Sequence, residues 1–271
     1  MHRPTQPPAS IAIRRVLDAR DVRVVFQPVV DLHTQKVFAY EALVRSKSPD
    51  FDSPMSLFAA AVDHSCAGEL GRLIRELAIA ACPDSPLFLN VHPAELNEKW
   101  IVRTDDPIFE HAHDVYLEIT EGVPLSHFEL CKSILSEVRG RGIYMVVDDL
   151  GAGYSNLKYI ADLEPRVVKL DRGLIAGLTK DSRLFKLVSG IVVLCEDLDA
   201  MVVAEGIETV EELDAVRASG ARFGQGYLLA RPAYPLPEVT WPEEPDEFPD
   251  RPTIRREKAH ARKRVPTVRR R

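Results

Sequence analysis

Eight short runs of β-forming residues alternate with longer segments of helical spacing, and this alternation restricts the fold more than any other feature. Several runs are apolar on both faces, as expected for strands that are covered by helices rather than by water. The runs are Val22–Val30, Lys36–Arg45, Leu87–Val91, Val115–Thr120, Ile143–Asp149, Val167–Leu170, Met201–Glu205 and Phe223–Leu228. The pattern predicts an α/β fold, a closed (β/α)8 barrel, rather than an open doubly wound sheet.

The segments between the runs carry helix signals. Leu70, Leu73, Ile74 and Leu77 follow the i, i+3, i+4, i+7 spacing of one helical face. The T-x-x-E sequence beginning at Thr209 predicts a capping box at the start of another helix. The first two runs are joined only by DLHTQ, which is too short for a helical crossover. We therefore expect a TIM-like barrel with an antiparallel first strand.

The composition changes after the last run. Seven prolines fall within residues 232–252, interleaved with acidic residues. Within residues 254–271 there are seven Arg and two Lys but only one acidic residue, Glu257, so this segment has a charge of +8. Since the net charge of the whole chain is −6, the rest of the chain has a charge of −14. Sequence of this kind buries little apolar surface. We predict one barrel domain over residues 1–236 and a disordered tail over residues 237–271.

Several classes of protein are disfavoured by what the sequence lacks. No apolar run approaches the roughly 18 residues that a membrane-spanning helix needs, and the start, MHRPTQPPAS, contains no hydrophobic signal segment. A cytoplasmic protein is therefore expected. Cys66, Cys82, Cys131 and Cys195 are far apart and form no C-x-x-C pair, which favours reduced core thiols over a thiolate metal site.

Polar residues interrupt the otherwise apolar runs at or near their C-terminal ends, where barrel enzymes build their active sites. A single strand-end carboxylate is more often a helix cap than a ligand, so the agreement of seven consecutive runs carries the inference. The residues are Glu41, Asn90, Glu118, Asp148, Asp149, Lys169, Glu205 and Gln225.

Five of these eight residues are carboxylates, which would repel one another at a shared barrel mouth unless cations neutralised them. Oxygen ligands plus one amide, without Cys or convergent His, suit hard ions such as Mg²⁺ or Mn²⁺. The adjacent Asp148 and Asp149 suggest two ions, the arrangement used in phosphoester hydrolysis. His92 follows the Asn90 strand, and a histidine in such a position is more often structural than functional.

Eight motifs follow one another along the chain: FQPVVDL, EALVR, LNVHP, EITE, DDLGAGYSNL, VKLDR, AEGIET and GQGYLLARP. They resemble the ordered motifs of the EAL-domain cyclic di-GMP phosphodiesterases. The resemblance extends from about Val22 to Pro232, and eight motifs in order are far more specific than one three-letter motif. The resemblance implies an EAL-type barrel that uses two Mg²⁺ or Mn²⁺ ions to hydrolyse cyclic di-GMP to linear pGpG, and a homodimer formed through the barrel.

The resemblance also implies roles for individual residues. Lys169 would orient the nucleophilic water, Gln225 would form a hydrogen bond near the metal site, and both are counted as catalytic with Glu41 and Glu205. One ion would be held by Glu41, Asn90, Glu118 and Asp148, and the second by Asp148, Asp149 and Glu205. Substrate would contact Gln27, the Glu41-Ala42-Leu43 motif and Arg45, whose guanidinium would pair with a phosphate. Loop-stabilising roles fall to Glu121 and Glu208.

The loop after Asp149 departs from the commonest family pattern, DDFGTGYSS. Leu150 replaces Phe and keeps an apolar side chain, Ala152 replaces Thr, and Asn156 replaces the final Ser. Loss of the Thr hydroxyl is expected to affect how the position of the loop is coupled to a dimer interface. All of the metal-ligand positions are retained.

Three other interpretations account for part of the sequence. A cyclic di-GMP receptor without activity would use the same barrel, although such receptors typically lose a ligand that this sequence keeps. Gly151-Ala152-Gly153 lacks the third glycine of a dinucleotide-binding loop and follows two aspartates that would repel a pyrophosphate. The Arg-rich tail could give weak, salt-dependent contact with nucleic acid or an anionic surface as an accessory role.

Overall fold

A closed eight-stranded barrel forms the centre of the molecule, in the order β1 to β8. The structure, a computed structural model, describes residues 9–120, 125–153 and 158–242. The strands are β1 Val22–Asp31, β2 Lys36–Ser46, β3 Leu87–Asn90, β4 Val115–Thr120, β5 Tyr144–Leu150, β6 Val167–Leu170, β7 Met201–Ala204 and β8 Phe223–Gly224. Each of the eight predicted runs overlaps one of these strands, so the predicted barrel is confirmed.

The first strand runs against both of its neighbours. β1 pairs antiparallel with β2, with Gln27 opposite Glu41, and antiparallel with β8, while the pairs from β2 to β8 are parallel. The short DLHTQ connection explains the hairpin, because it leaves no room for a crossover helix. The predicted antiparallel first strand is therefore confirmed.

Helices surround the barrel. They are α1 Ala9–Ala19, α2 Pro54–Asp63, α3 Ala67–Ala81, α4 Pro93–Glu98, α5 Leu125–Gly140, α6 Lys158–Leu163, α7 Arg172–Ile175, α8 Arg183–Asp197 and α9 Val210–Ser219. The predicted capping box is present at α9, where Thr209 and Glu212 cap each other's backbone N–H groups. No helix in these described ranges is long and apolar enough to cross a membrane.

An aromatic layer fills the barrel below the strand ends that carry the polar residues. Phe88 stacks on Tyr116 with ring centroids 4.6 Å apart, and Phe38 packs against Phe223 at 4.3 Å. The Nζ atom of Lys169 lies 6.0 Å from the Phe88 ring centroid. This layer closes the barrel beneath the polar residues.

The residues just beyond the predicted barrel domain lie against it. Val239 and Trp241 pack on the core, and the Thr240 N–H donates to the Leu229 carbonyl at 2.9 Å. The remainder of the predicted disordered tail, residues 243–271, lies outside the described residues. The contact with nucleic acid or an anionic surface that the sequence suggests for this tail therefore stays a prediction. Among the cysteines, Cys66, Cys82 and Cys195 are buried free thiols, in line with the sequence prediction for these three.

A fully buried ionic cluster joins α3 to the segment that follows β3. Arg75 is 1% exposed, while Glu95 and Asp106 are fully buried. The Arg75 guanidinium donates to Glu95 at 2.6 Å and to Asp106 at 2.8 Å. Burial raises the pKa of Glu95 even with Arg75 beside it, since two carboxylates share one cation.

Arg75→Met should therefore lower the free energy of unfolding by about 3 to 5 kcal/mol, because it leaves two buried carboxylates without their cation. Urea unfolding followed by circular dichroism measures this loss. The matched control is Arg14→Met, since the Arg14–Glu69 pair is exposed and such pairs contribute about 1 kcal/mol or less. Equal losses in the two variants would contradict the expectation.

Candidate active site

The eight polar residues predicted from the strand ends form one connected group at the mouth of the barrel. β2 carries Glu41, β3 ends at Asn90, β4 carries Glu118, and β5 carries both aspartates. Glu205 and Gln225 come directly after β7 and β8, so the parallel strands deliver all of these side chains to the same end. Ion pairs, hydrogen bonds and closely spaced carboxylate oxygens connect Glu41, Asn90, Glu118, Asp148, Asp149, Lys169, Glu205 and Gln225.

Lys169 lies at the centre of this group. Its Nζ atom is 2.6 Å from a carboxylate oxygen of Glu118 and 2.6 Å from one of Glu205. Glu41 and Asp148 each place an oxygen 3.4 Å from the same ammonium. The lysine side chain is 1% exposed, so water screens these interactions little.

Glu41 is held by two amides as well as by Lys169. The Gln225 Nε2 donates to Glu41 Oε2 at 2.6 Å, and the Asn90 Nδ2 donates to Glu41 Oε1 at 3.2 Å. Each carboxylate oxygen of Glu41 thus accepts a hydrogen bond, and the two bonds fix the orientation of the carboxylate. Burial favours the protonated form, but Lys169 and the amides outweigh it, so the pKa of Glu41 is lowered.

The other carboxyl groups of the site have raised pKa values. Burial is the largest cause in each, and neighbouring carboxylates add to it. The pKa of Glu205 rises to about 8, that of Asp149 to about 6, and that of Glu118 well above its usual value. One ammonium thus does not balance five carboxyl groups, although it holds its own proton firmly: burial lowers the Lys169 pKa, but the surrounding carboxylates raise it further.

The donor set fits divalent cations. Asp148, Asp149 and Glu205 each offer an oxygen, and these atoms lie within 4.8 Å of one another. Glu118 Oε2 is buried and has no hydrogen-bond partner among the residues that the structure describes. Oxygen ligands without sulfur suit hard ions, and a buried excess of negative charge requires positive charge nearby.

Asp149 adopts a left-handed backbone conformation, with φ of 59°. Such a conformation is uncommon outside glycine, although Asp tolerates it better than most residues, and it is found preferentially at functional sites. It turns the chain directly after the Asp148 position, where β5 leaves its regular ladder. The two adjacent carboxylates can therefore face the same group, which an extended strand would not allow.

The residues that the resemblance assigns to substrate fall in two places. Ala42, Leu43 and Arg45 line a cleft of about 970 Å³ that also reaches Asn90 and Asp149. Gln27 is instead buried beside Gln225: its Nε2 donates to the Ala230 carbonyl at 3.0 Å, and its Oε1 accepts from Gln225 at 3.1 Å. The amide of Gln27 is thus bonded at both ends within the barrel.

Of the two glutamates with predicted loop roles, Glu208 lies within the described residues. Glu208 Oε2 accepts from Arg172 at 2.8 Å, which ties the segment after β7 to the start of α7. Glu121 lies outside the described residues, as does Asn156. In the loop after Asp149, Leu150 is buried and Ala152 is exposed.

Part of the cleft wall was not predicted from the sequence as a site. Met55 and Phe58 of α2 line the cleft together with His92, which the sequence marked as more often structural. Phe58 stacks on the His92 ring. The available signal was the position of His92 two residues after Asn90; nothing in the helical pattern of α2 distinguishes Phe58 from a core residue.

Known proteins share this fold and these sequence features. The family model of the EAL domain matches residues 11–232. The chain is 30% identical over 230 residues to a cyclic di-GMP phosphodiesterase from Pseudomonas aeruginosa, covering 80% of this chain and 39% of that protein. It is 26% identical over 234 residues to the cyclic di-GMP phosphodiesterase NbdA from the same organism, covering 81% and 30%.

Solved structures agree with the sequence comparison. A complex of Klebsiella pneumoniae BlrP1 with calcium and cyclic di-GMP superimposes with a TM-score of 0.72 at 27% identity, covering 87% of this chain and 60% of that chain. The chain spans between 28% and 39% of the length of the curated relatives it matches.

Proposed function

Because the chain belongs to the EAL domain family, we propose that it is a metal-dependent phosphodiesterase that hydrolyses cyclic di-GMP to linear pGpG. The observation that carries the proposal is the group around Lys169, where carboxylates from β2, β4, β5 and the residue after β7 lie within 3.4 Å of one buried ammonium. A receptor has no need for such a concentration of buried charge, which costs folding free energy.

The ligands are proposed from the chemistry of these side chains. Glu41, Asn90, Glu118 and Asp148 would hold one divalent ion, and Asp148, Asp149 and Glu205 the second. Bound Mg²⁺ or Mn²⁺ would supply activation of water and stabilisation of charge on phosphoryl oxygens. The unpartnered oxygen of Glu118 and the proximity of Asp148, Asp149 and Glu205 support this assignment.

The remaining residues would bind and orient. The Lys169 ammonium, buried beside Glu118 and Glu205, orients the attacking water and offsets charge on the phosphodiester. The Gln225 amide holds Glu41 in its ligating orientation. Arg45 lines the cleft and pairs with a phosphate, which a guanidinium does in a bidentate way. Because pGpG keeps its phosphate on a 5′ oxygen, the bond that breaks is P–O3′, and the ribose 3′ oxygen leaves with a proton.

Homodimerisation through the barrel is part of the same proposal. Leu187, Leu194 and Leu198, on one face of α8 and its C-cap, are exposed, with Leu187 52% exposed. Apolar surface of this kind is what homodimer interfaces bury. Analytical ultracentrifugation of the wild type and of Leu187→Glu tests the interface, and an unchanged dimer in the variant would exclude this face.

Purified protein should convert cyclic di-GMP to pGpG in Mg²⁺ or Mn²⁺ and should do so poorly in Ca²⁺. Calcium prefers longer bonds and more ligands than magnesium does, so it fits a compact carboxylate site less well. Chromatography of the nucleotides after incubation measures the conversion, and a chelator in place of the metal is the control. Tight binding of cyclic di-GMP without formation of pGpG would instead identify a receptor.

A further inference from the structure

Two stacked rings form one wall of the cleft beside the proposed metal ligands. Phe58 belongs to α2 and His92 is the N-cap residue of α4; their ring centroids are 5.5 Å apart and their planes differ by 13°. Both side chains line the same cleft as Arg45, Asn90 and Asp149. The hydrolytic machinery proposed above uses neither ring.

The hydrogen bond made by His92 fixes which ring nitrogen can donate. The backbone N–H of Ala94 donates to His92 Nδ1 at 3.2 Å. A nitrogen that accepts a hydrogen bond carries no proton, so the proton of the neutral imidazole is on Nε2. The cap therefore leaves one N–H donor on the ring edge away from the helix.

The backbone that carries His92 is anchored from behind. Glu95 Oε1 accepts from the His92 backbone N–H at 2.9 Å, and Glu95 Oε2 accepts from Arg75 at 2.6 Å. Glycine is required at position 71, because a Cβ there would collide with the Glu95 carboxylate. A recognition group needs this kind of fixed support.

We propose that Phe58 and His92 form the wall that recognises a guanine base of the substrate, with the His92 Nε2–H donating to O6. The proposal rests on the function proposed above, in which the phosphodiester meets the strand-end carboxylates. A purine bound through that phosphodiester must place a base in the adjoining cleft, and an aromatic wall stacks on any base. The donor adds selectivity, because adenine carries an amino group where guanine carries the acceptor O6.

His92→Ser is the test variant, because serine keeps an oxygen that can cap α4 while removing the ring and its donor. We expect kcat/KM for cyclic di-GMP to fall on the order of 10-fold or more, since stacking on an aromatic ring contributes about that much for one base. Phe58→Leu should cause a smaller loss. The ratio of kcat/KM for cyclic di-GMP to kcat/KM for cyclic di-AMP should be smaller in His92→Ser than in the wild type. The affinity for Mn²⁺, measured by calorimetry, should be unchanged.

The matched control is His64→Ser, which removes the exposed histidine at the C-cap of α2 and should leave all of these values at the wild-type level. Wild-type turnover of cyclic di-GMP by His92→Ser would overturn the proposal. Weaker binding of Mn²⁺ by His92→Ser would also overturn it, since the ring would then act on the metal site.

Failure of the proposed function would be recognised separately, as a wild type that forms no pGpG. In that case calorimetric titration of wild type and His92→Ser with cyclic di-GMP in Ca²⁺ provides the test. A weaker Kd in the variant supports base recognition, and equal Kd values refute it.

Discussion

Asp148→Asn should lower the turnover of cyclic di-GMP about 1000-fold, since removal of a shared ligand forfeits several kcal/mol of transition-state stabilisation. Asp148 is proposed to contact both ions and has the same shape as asparagine. The substitution therefore removes a charge and little else. Nucleotide chromatography in Mn²⁺ measures the loss.

The same variant should be no less stable than the wild type at neutral pH. The pKa of Asp148 is raised, chiefly by burial and also by Glu41, so its ionised form is disfavoured in the folded protein. Removing such a charge does not weaken folding. A fall in activity without a fall in Tm would therefore separate a ligand from a structural residue.

Asp181→Asn supplies the matched control, because Asp181 is exposed on the segment before α8. It should retain full turnover. Retention of more than a tenth of wild-type activity by Asp148→Asn in Mn²⁺ would contradict the ligand assignment.

The strands were predictable because their sequences are short, apolar and separated by helical spacing, but their lengths were not. The run Phe223–Leu228 predicts a longer strand than the two residues of β8. Gly226 explains the difference, because the chain there approaches the backbone of Ile207 so closely that a Cβ would collide with it. Beyond β8 the chain is therefore in close contact with the segment after β7, and the glycine within the strand pattern is the local signal of that contact.

The metal-ligand candidates were predictable for a related reason. In a barrel the C-terminal ends of parallel strands converge, so a polar residue at each end is enough to predict a cluster. Its internal contacts were not predictable: the resemblance assigns Gln27 to substrate, whereas its amide is bonded to Gln225 and to the Ala230 carbonyl.

The cleft wall and its anchor depend on segments that are far apart in the sequence. Phe58 lies on α2 and reads as an ordinary apolar helix residue, while Arg75 lies beside the apolar stripe of α3. Only the fold brings Glu95 and Asp106 to Arg75. Pairwise placement of this kind leaves no periodic signal in a single sequence.

Lys169→Met should lower turnover by about 100-fold or more, a loss typical of removing a group that positions or exchanges protons in the transition state. Methionine has a similar length, so it fills the space above the Phe88 ring without restoring the ammonium. The affinity for Mn²⁺, measured by calorimetry, distinguishes a lysine that acts in the reaction from one that only holds the carboxylates in place. Lys169 is a cation among the proposed ligands Glu41, Glu118, Asp148 and Glu205.

Removal of that cation makes the ligand group more negative, so Mn²⁺ should bind at least as tightly to Lys169→Met as to the wild type. A lysine whose only role is to hold the carboxylates in place gives the opposite result, with Mn²⁺ affinity and turnover falling together. Lys180→Met, at an exposed position, is the control and should change neither value. Tight Mn²⁺ binding combined with lost turnover would place Lys169 in the chemistry, because the variant would retain its ions and lack only the group that orients the water.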